Sequence, residues 1–371
     1  MKKTTSIYLD AVRFTAAVMV MLAHVNVLIF DHELPNVVFG HGREAVAVFF
    51  VLSGFVIRYI TDSRVHDWRE YAVARLARLY SVSLLAVVVI LIADSWGRFN
   101  DLYRHDMALA TFYQPVSIKS IIAYLTFTNE LWGSHLVLGA SEPFWSLGFE
   151  AMYYILFGIL VFFPARFKWL GILVWVSIVG TSIALYFPLW YLGCLTYDIL
   201  KYGRLRILRS TICRSPLVIF FSTVLIYFLL RSTLGKHATN MYQHWSPGLN
   251  VVNFIYFMGL GLLTSVNIIA FNAIPEESFL NSLLRAHEAS IRWLAGATFT
   301  LYLLHQPLLV ILKYELPANF GHLPKGLIIA SIVLVVVFAL AELGERRKHV
   351  FARLFNGLFS KVQSSSASDL R

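Results

Sequence analysis

The chain has 371 residues, of which 58% are hydrophobic and 14% are charged. Because soluble domains carry about 25% charged residues, this composition excludes an ordinary water-soluble protein and predicts a polytopic membrane protein. The formal net charge of +10 does not indicate nucleic-acid binding, since lysines and arginines cluster in short loops between apolar segments, as the positive-inside rule distributes them.

Ten apolar segments predict the fold, an all-α integral membrane bundle of about ten transmembrane helices. Only Phe187 and Pro188 separate the fifth segment from the short sixth, so these two segments form either one broken helix or a helix followed by a re-entrant piece. The segments cover residues 8–30, 44–61, 72–93, 145–163, 169–187, 189–200, 216–231, 249–271, 292–313 and 325–343.

The distribution of basic residues predicts the orientation of this bundle. Basic residues are most frequent in the loops that lie inside when the N-terminus is cytoplasmic, so both termini are expected on the cytoplasmic side of a bacterial-type inner membrane. The first apolar segment has no cleavage site and is expected to stay in the protein. The serine-rich end at 360–371 is expected to be disordered. The chain is expected to divide into a transmembrane domain at 1–345 and a polar cytoplasmic tail at 346–371.

Residues 94–143 form the longest predicted outer segment, and their aromatic content argues against disorder. We expect a lid or an acceptor-binding surface here, with a short interfacial helix that merely closes the bundle as the alternative. The two cysteines, Cys194 and Cys213, have no metal-ligand spacing. No metal site is therefore expected. A structural disulfide is not expected either, since the predicted topology puts at least Cys213 on the cytoplasmic side.

The first apolar segment carries Asp10, Arg13 and His24. Arg13 and His24 are eleven residues apart, which is about three helical turns, so both side chains project from one face of the helix. An ionisable group costs at least about 2.5–3.5 kcal/mol at the centre of a membrane helix, so it normally faces the bundle interior or a water-filled cavity. In the alternative interpretation, Arg13 reaches the headgroups or pairs with Asp10, and His24 is an ordinary interior histidine.

Four further groups of polar residues lie in or beside apolar segments. They are GREAVAVFFVLSGFVI at 42–57, which includes Ser53; the arginines Arg75 and Arg78; FWSLGFEAMYY at 144–154, which includes Ser146 and Glu150; and TLYLLHQPLL at 300–309, which includes Tyr302, His305 and Gln306.

Together and in this order, these motifs resemble the membrane-bound acyltransferase 3 family, and the resemblance covers essentially the whole chain. It implies that residues 1–345 form the transmembrane acyltransferase domain. It also implies O-acylation, usually O-acetylation, of a carbohydrate or related hydroxyl on the outer face, with the acyl group drawn from cytoplasmic acyl-CoA.

The arginine pair suits the donor that this resemblance implies. Arg75 and Arg78 are neighbours on a helix at the predicted cytoplasmic face. Guanidinium groups bind phosphate oxygens through bidentate contacts, and CoA carries a pyrophosphate and a ribose phosphate. Arg13 could complete this phosphate site. Alternatively, the pair is only a topology anchor.

His24 is the predicted catalytic base, because a neutral imidazole can take the proton from an acceptor hydroxyl as its oxygen attacks the thioester. Glu150 is the second predicted catalytic residue, either orienting this imidazole or binding acceptor hydroxyls; its alternative is a structural acceptor for a tyrosine or tryptophan donor. Ser146 lies on the same face of the helix as Glu150. Whether the acyl group passes through His24 itself stays open.

Three other candidates are less informative. Ser53, next to Gly54, is more typical of close helix packing than of a nucleophile. Tyr302 and His305 precede Pro307, which could free backbone groups for polar contacts, so a site role and a structural role are equally supported.

The sequence thus predicts an integral-membrane O-acyltransferase, most simply an acetyltransferase that modifies an extracytoplasmic glycan such as an O-antigen, exopolysaccharide or capsule. Its partners are acyl-CoA, a glycan or glycolipid acceptor and the lipid bilayer. A lipid, peptidoglycan or macrolide-like acceptor is an alternative. A transporter or flippase is the alternative from another class, against which stand the missing inverted repeat and the Arg75/Arg78 pair.

Overall fold

The structure is a computed structural model that describes residues 1–30, 32–35, 39–106, 109, 112–203, 214–239, 241, 247–316 and 322–368. Within these residues the chain is helical apart from loops and one isolated antiparallel bridge between Gln114 and Gly139. The helices, in chain order, are α1 (Lys3–Ile29), α2 (Gly42–Arg64), α3 (Trp68–Phe99), α4 (Ile118–Thr126), α5 (Trp145–Phe162), α6 (Ala165–Val179), α7 (Thr181–Tyr202), α8 (Pro216–Leu230), α9 (Pro247–Ala273), α10 (Phe279–Ala286), α11 (Glu288–Ala295), α12 (Thr298–Glu315), α13 (His322–Ala341) and α14 (Lys348–Ser368). Single helical turns lie at Leu102–His105, Leu131–Gly133, Glu142–Phe144, Arg231–Gly235 and Glu345–Arg347.

The predicted all-α polytopic architecture is confirmed. Among the described residues, eight helices are long and apolar enough to cross a membrane, or nine if the bent pair of α11 and α12 forms one span. The number is below ten partly because α6 has only 15 residues, whereas a span needs about 20.

The predicted break at Phe187 and Pro188 is wrong. The helix instead breaks at Gly180, and α7 continues through Pro188 without interruption. Gly180 has φ of 79°, a backbone conformation that glycine adopts without the steric penalty of a Cβ atom. The helix break therefore lies at Gly180, which can adopt a positive φ, and not at Pro188.

The chain divides into two compact units. The first comprises Met1–Ala23, Asn36–Ser63 and Val179–Thr298, and the second comprises His24–Pro35, Arg64–Ile178 and Phe299–Arg371.

In the first unit, α2 and α7 cross in close backbone contact. A Cβ atom on Gly54 would lie 2.0 Å from the carbonyl oxygen of Trp190, and one on Gly193 would lie 1.9 Å from that of Val51. Ser53 Oγ beside this crossing accepts a hydrogen bond of 3.1 Å from Trp190 Nε1. The contacts favour the packing interpretation of Ser53 and Gly54.

Cys194 is buried at the same crossing, whereas Cys213 lies outside the described residues.

In the second unit, the 32-residue helix α3 is the element to which several others attach. Tyr71 Oη donates to the carbonyl oxygen of Tyr154 on α5 at 2.9 Å. Tyr80 Oη donates to that of Leu125 on α4 at 2.7 Å. The predicted arginine pair lies between these two tyrosines along α3.

The predicted disorder at 360–371 is wrong as far as Ser368, since α14 spans Lys348–Ser368. The division into a domain at 1–345 and a cytoplasmic tail at 346–371 stays a prediction. Phe355 and Phe359 lie one helical turn apart and pack against rings of α3, with centroid distances of 5.6 Å to Tyr80 and 6.0 Å to Trp68. Apolar residues at this spacing form one face of an amphipathic helix. The polar serines that follow do not outweigh this packing.

The predicted outer segment at 94–143 is folded where the structure describes it. It begins later than expected because α3 extends to Phe99. The Gln114 side chain donates to the carbonyl oxygen of His135 at 3.0 Å and accepts from the backbone N–H of Val137 at 2.9 Å. Burial raises the pKa of the Glu130 carboxyl, and an ion pair of 3.0 Å with His135 opposes that rise. Its role as a lid or acceptor surface stays a prediction.

Candidate functional site

His24 lies near the C-terminal end of α1, within the second unit, and its side chain is 16% exposed. Its Nδ1 is 3.2 Å from Nε2 of His305 on α12. Its Nε2 is 3.7 Å from Oε2 of Glu142, in the turn that precedes α5. Two polar side chains from distant parts of the chain therefore contact the two ring nitrogens of the predicted base.

The contacts of His305 determine which nitrogen of His24 carries the proton. His305 is fully buried, and its Nδ1 is 3.0 Å from the carbonyl oxygen of Leu301. A carbonyl oxygen only accepts, so Nδ1 of His305 is the protonated nitrogen and its Nε2 accepts a hydrogen bond. In the neutral pair, His24 Nδ1 donates to His305, which leaves the lone pair of His24 on Nε2, facing Glu142.

Glu142 is the carboxylate that the structure places beside His24, and it was not selected from the sequence. Its backbone N–H donates to Oε1 of Gln306 at 3.1 Å, and the residue is only 8% exposed. Pro143 follows it at the start of the helical turn. The only local signal was an acidic residue directly ahead of the Phe144–Tyr154 motif, which does not distinguish a site residue from a helix-terminal acid.

Glu150, the predicted partner of His24, instead accepts a hydrogen bond from the Tyr154 hydroxyl one turn along α5. This contact corresponds to the structural alternative for Glu150, an acceptor for a neighbouring tyrosine. Glu142 rather than Glu150 therefore occupies the position expected for a carboxylate at the imidazole. The catalytic role of Glu150 stays a prediction.

Ser146 and Tyr302 contact each other in the second unit. They come from two different sequence motifs, and neither motif by itself predicts this contact. Their hydroxyl oxygens are 2.7 Å apart, and both residues are buried. Because Ser146 Oγ also donates to the carbonyl oxygen of Pro143 at 3.3 Å, the Tyr302 hydroxyl donates to Ser146. The ring of Tyr302 lies 6.4 Å from that of His305. This pair thus supports the turn bearing Glu142 and the helix bearing His305.

The arginine pair on α3 is held by aromatic rings. The guanidinium carbon of Arg75 lies 5.8 Å from the ring centroid of Tyr71 and 5.7 Å from that of Tyr154, while that of Arg78 lies 5.3 Å from Phe299. Arg75 is 7% exposed, and its Nε has no hydrogen-bond partner among the described residues. Ring contacts of this kind orient a guanidinium without neutralising it.

Glu345 is a second residue that sequence analysis missed. It is 7% exposed, and Oε2 accepts hydrogen bonds from the backbone N–H groups of Phe299 and Thr300 at 3.0 and 2.9 Å. These are donors in the first turn of α12, where a carboxylate stabilises a helix. Glu345 therefore anchors the helix that carries Tyr302, His305 and Gln306.

Arg13 and Ser53 lie in the first unit, and their described contacts are with that unit. Arg13 forms an ion pair of 3.3 Å with Asp10 and donates to the carbonyl oxygen of Ala295 at 3.0 Å. The pairing with Asp10 that the sequence allowed is present. A phosphate contact by Arg13 stays a prediction.

Comparisons with known proteins give the following similarities. A family model described as an acyltransferase domain matches residues 6–342. The chain is 31% identical over 130 residues to the exopolysaccharide production protein ExoZ of Rhizobium meliloti (strain 1021). The match covers 34% of this chain and 37% of ExoZ, so it spans little more than a third of that relative's length. No solved structure is significantly similar to the chain.

Proposed function

Because this chain belongs to the acyltransferase-domain family, we propose that it is an integral-membrane O-acyltransferase that transfers an acetyl group from cytoplasmic acyl-CoA to a hydroxyl of an extracytoplasmic glycan. The observation that carries the proposal is the arrangement around His24. One nitrogen is held by His305 and the other, which bears the lone pair, faces Glu142. Such an imidazole is oriented to accept a proton.

The reaction follows from this orientation. His24 Nε2 takes the proton of the acceptor hydroxyl as the hydroxyl oxygen forms a bond to the thioester carbonyl carbon. The resulting imidazolium faces the Glu142 carboxylate, and a nearby opposite charge favours the protonated ring. The carbon–sulfur bond then breaks, and the proton passes from His24 to the departing thiolate of CoA. The products are the acyl ester and free CoA.

The donor is assigned to acyl-CoA because of the arginine pair. Two guanidinium groups that aromatic rings hold in place suit the phosphates of CoA, since arginine binds phosphate oxygens through planar bidentate contacts. The pair lies near the N-terminal end of α3, on the side that the positive-inside rule assigns to the cytoplasm. In this proposal both termini are cytoplasmic and the membrane is the bacterial inner membrane.

The acceptor is assigned to a surface polysaccharide because of the similarity to ExoZ, whose name describes it as an exopolysaccharide production protein. Aromatic side chains in the outer segment are compatible with sugar binding, since a sugar ring presents apolar C–H faces. In this proposal an acceptor that arrives from outside meets His24 beside Glu142, which lies in the turn before α5 and 3.7 Å from the imidazole.

The test is mass spectrometry of surface glycans from cells that carry the wild-type gene, no gene, or His24→Ala. The wild type should add the mass of one acetyl group per modified unit, and His24→Ala should add none while still accumulating in the membrane. His66→Ala is the matched control, because that side chain is 84% exposed and should leave the modification intact. Acetylation by His24→Ala would contradict the general-base role; identical glycans with and without the gene would contradict the proposed acceptor.

A further inference from the structure

Gln306 lies next to His305 on α12 and is fully buried. Its Oε1 accepts the backbone N–H of Glu142 at 3.1 Å. A backbone N–H can only donate, so the carbonyl oxygen of the amide must face Glu142 and the orientation of the amide is fixed. The amide nitrogen, Nε2, consequently points away from that N–H.

Nε2 of Gln306 has no hydrogen-bond acceptor among the described residues, although it is buried. A buried donor that stays unpaired destabilises a protein, and more than nine in ten buried backbone groups and most buried side-chain polar atoms in proteins are paired. A buried amide donor that is unpaired in the protein alone is thus a position where a bound group could supply the acceptor.

The location of this donor indicates what it would bind. Gln306 holds the backbone of Glu142, whose carboxylate faces Nε2 of His24. Its neighbour in the chain, His305, holds the other nitrogen of the same imidazole. The residue that carries the unpaired donor therefore binds one of the two residues that contact the proposed base and is the chain neighbour of the other. The acyl carbonyl must also lie beside this base during transfer.

We propose that Gln306 Nε2 donates a hydrogen bond to the carbonyl oxygen of the acyl group and stabilises the negative charge that develops there during transfer. The inference rests on the proposed acyltransferase function. As the acceptor oxygen bonds to the carbonyl carbon, the electron pair of the C=O π bond moves onto the carbonyl oxygen. The charge returns to re-form the double bond when the carbon–sulfur bond breaks. A preorganised neutral donor lowers the barrier because it needs no reorientation at that moment.

A purely structural role for Gln306, in which it only anchors Glu142, predicts different kinetics. Loss of an anchor would slow transfer from every donor by a similar factor. Loss of a hydrogen-bond donor to the oxyanion would slow transfer only from acyl donors whose carbonyl oxygen accepts that hydrogen bond. A donor whose carbonyl oxygen is replaced by sulfur, which accepts hydrogen bonds weakly, separates the two roles.

The experiment measures kcat and KM of the purified full-length wild type and Gln306→Met with acetyl-CoA and with its dithioester analogue. We expect Gln306→Met to lower kcat with acetyl-CoA by about 10²–10³-fold, with little change in the KM of acetyl-CoA. With the dithioester, the same substitution should change kcat by much less. Equal losses with both donors, or an unchanged kcat with acetyl-CoA, would overturn the assignment.

Tyr302→Phe is the matched control, because it removes a buried hydrogen bond from the same helix and should affect both donors equally. If Gln306→Met does not accumulate in the membrane, Gln306→Glu replaces it, since one carboxylate oxygen can still accept the N–H of Glu142. A wild type that transfers nothing from acetyl-CoA to any acceptor would refute the proposed function itself. A wild type that is active and a Gln306 variant that matches it would refute only the role of Gln306.

Discussion

At the scale of single residues, the proposed role of His24 as a base depends on its neighbour His305 as well as on His24 itself. A free neutral imidazole exchanges its proton between two nitrogens, and only one of them can serve as the base at a given position. His305 removes this ambiguity because its own proton is committed to the carbonyl oxygen of Leu301. In the proposed reaction, His305 would therefore be a positioning residue that acts through His24.

His305→Leu removes the acceptor for His24 Nδ1–H. In part of the molecules the proton of His24 should then lie on Nε2, and a protonated Nε2 cannot take the proton of the acceptor hydroxyl. We expect kcat to fall about 10- to 100-fold, as is typical when a residue that orients a functional histidine is removed, with the KM of acyl-CoA nearly unchanged. The pH dependence of kcat/KM should shift as well. His305→Gln, which can present an acceptor oxygen, should recover part of the loss. Unchanged kcat and pH profile in His305→Leu would show that His305 only fills space.

At the scale of elements, the crossing of α2 and α7 depends on glycine because the contacting atoms belong to backbone. A side chain can rotate away from an added methyl group, whereas the carbonyl oxygen of Trp190 is held inside a helix. The two helices can accommodate a Cβ atom at Gly54 or Gly193 only by moving apart, which would also disturb the hydrogen bond between Trp190 and Ser53.

Gly54→Ala and Gly193→Ala should each destabilise the protein, since overpacking a close contact costs about 1–3 kcal/mol. Gly357→Ala is the matched control, because a Cβ atom on this helical glycine meets nothing within 4 Å and alanine favours a helix by up to about 1 kcal/mol. Thermal unfolding midpoints in detergent should fall for the first two variants and stay level or rise for the third. Equal midpoints for all three would mean that the crossing tolerates a wider separation.

At the scale of the whole molecule, the proposed transfer connects two compartments. The positive-inside rule predicts that the arginine pair lies near the cytoplasmic end of α3 and that the turn before α5, with Glu142, lies at the outer side. His24 contacts Glu142 near the end of α1, a helix that starts in the cytoplasm in this orientation. Acyl-CoA and the glycan would then approach His24 from opposite faces of the membrane.

Purified protein in sealed, uniformly oriented vesicles should acylate a glycan that is offered only outside when acyl-CoA is trapped only inside. When acyl-CoA is placed outside and the glycan inside, no product should form, because CoA is too polar to cross the bilayer. Permeabilising the vesicles after this exchange should restore transfer, which serves as the control for active enzyme. A requirement for both substrates in one compartment would reject the through-membrane arrangement while leaving the acyltransferase assignment intact.

The sequence by itself determined the properties that follow from local patterns. Apolar segments of sufficient length specified a polytopic helical protein, and the helices begin where local chemistry favours it. Asp67, for example, caps α3 by accepting the N–H groups of Arg69 and Glu70 at 2.7 and 3.0 Å. Helical periodicity also placed His24 on a polar face, and the motifs in their order identified the family. Each of these features depends on residues that are close together in the chain.

Only the tertiary structure decided which residues meet at His24. Glu142 lies just before the motif at 144–154 and Glu150 lies within it, eight residues later. The sequence offered no reason to prefer Glu142. The choice depends on how α1, α5 and α12 pack, and the contact between His24 and His305 joins residues 281 positions apart. The unexpected helix at the end of the chain has the same cause, because Phe355 and Phe359 are ordered by rings on α3. The spacing of residues along the chain decides which side chains share one face of a helix. Which residues that face contacts depends on how segments far apart in the chain pack together.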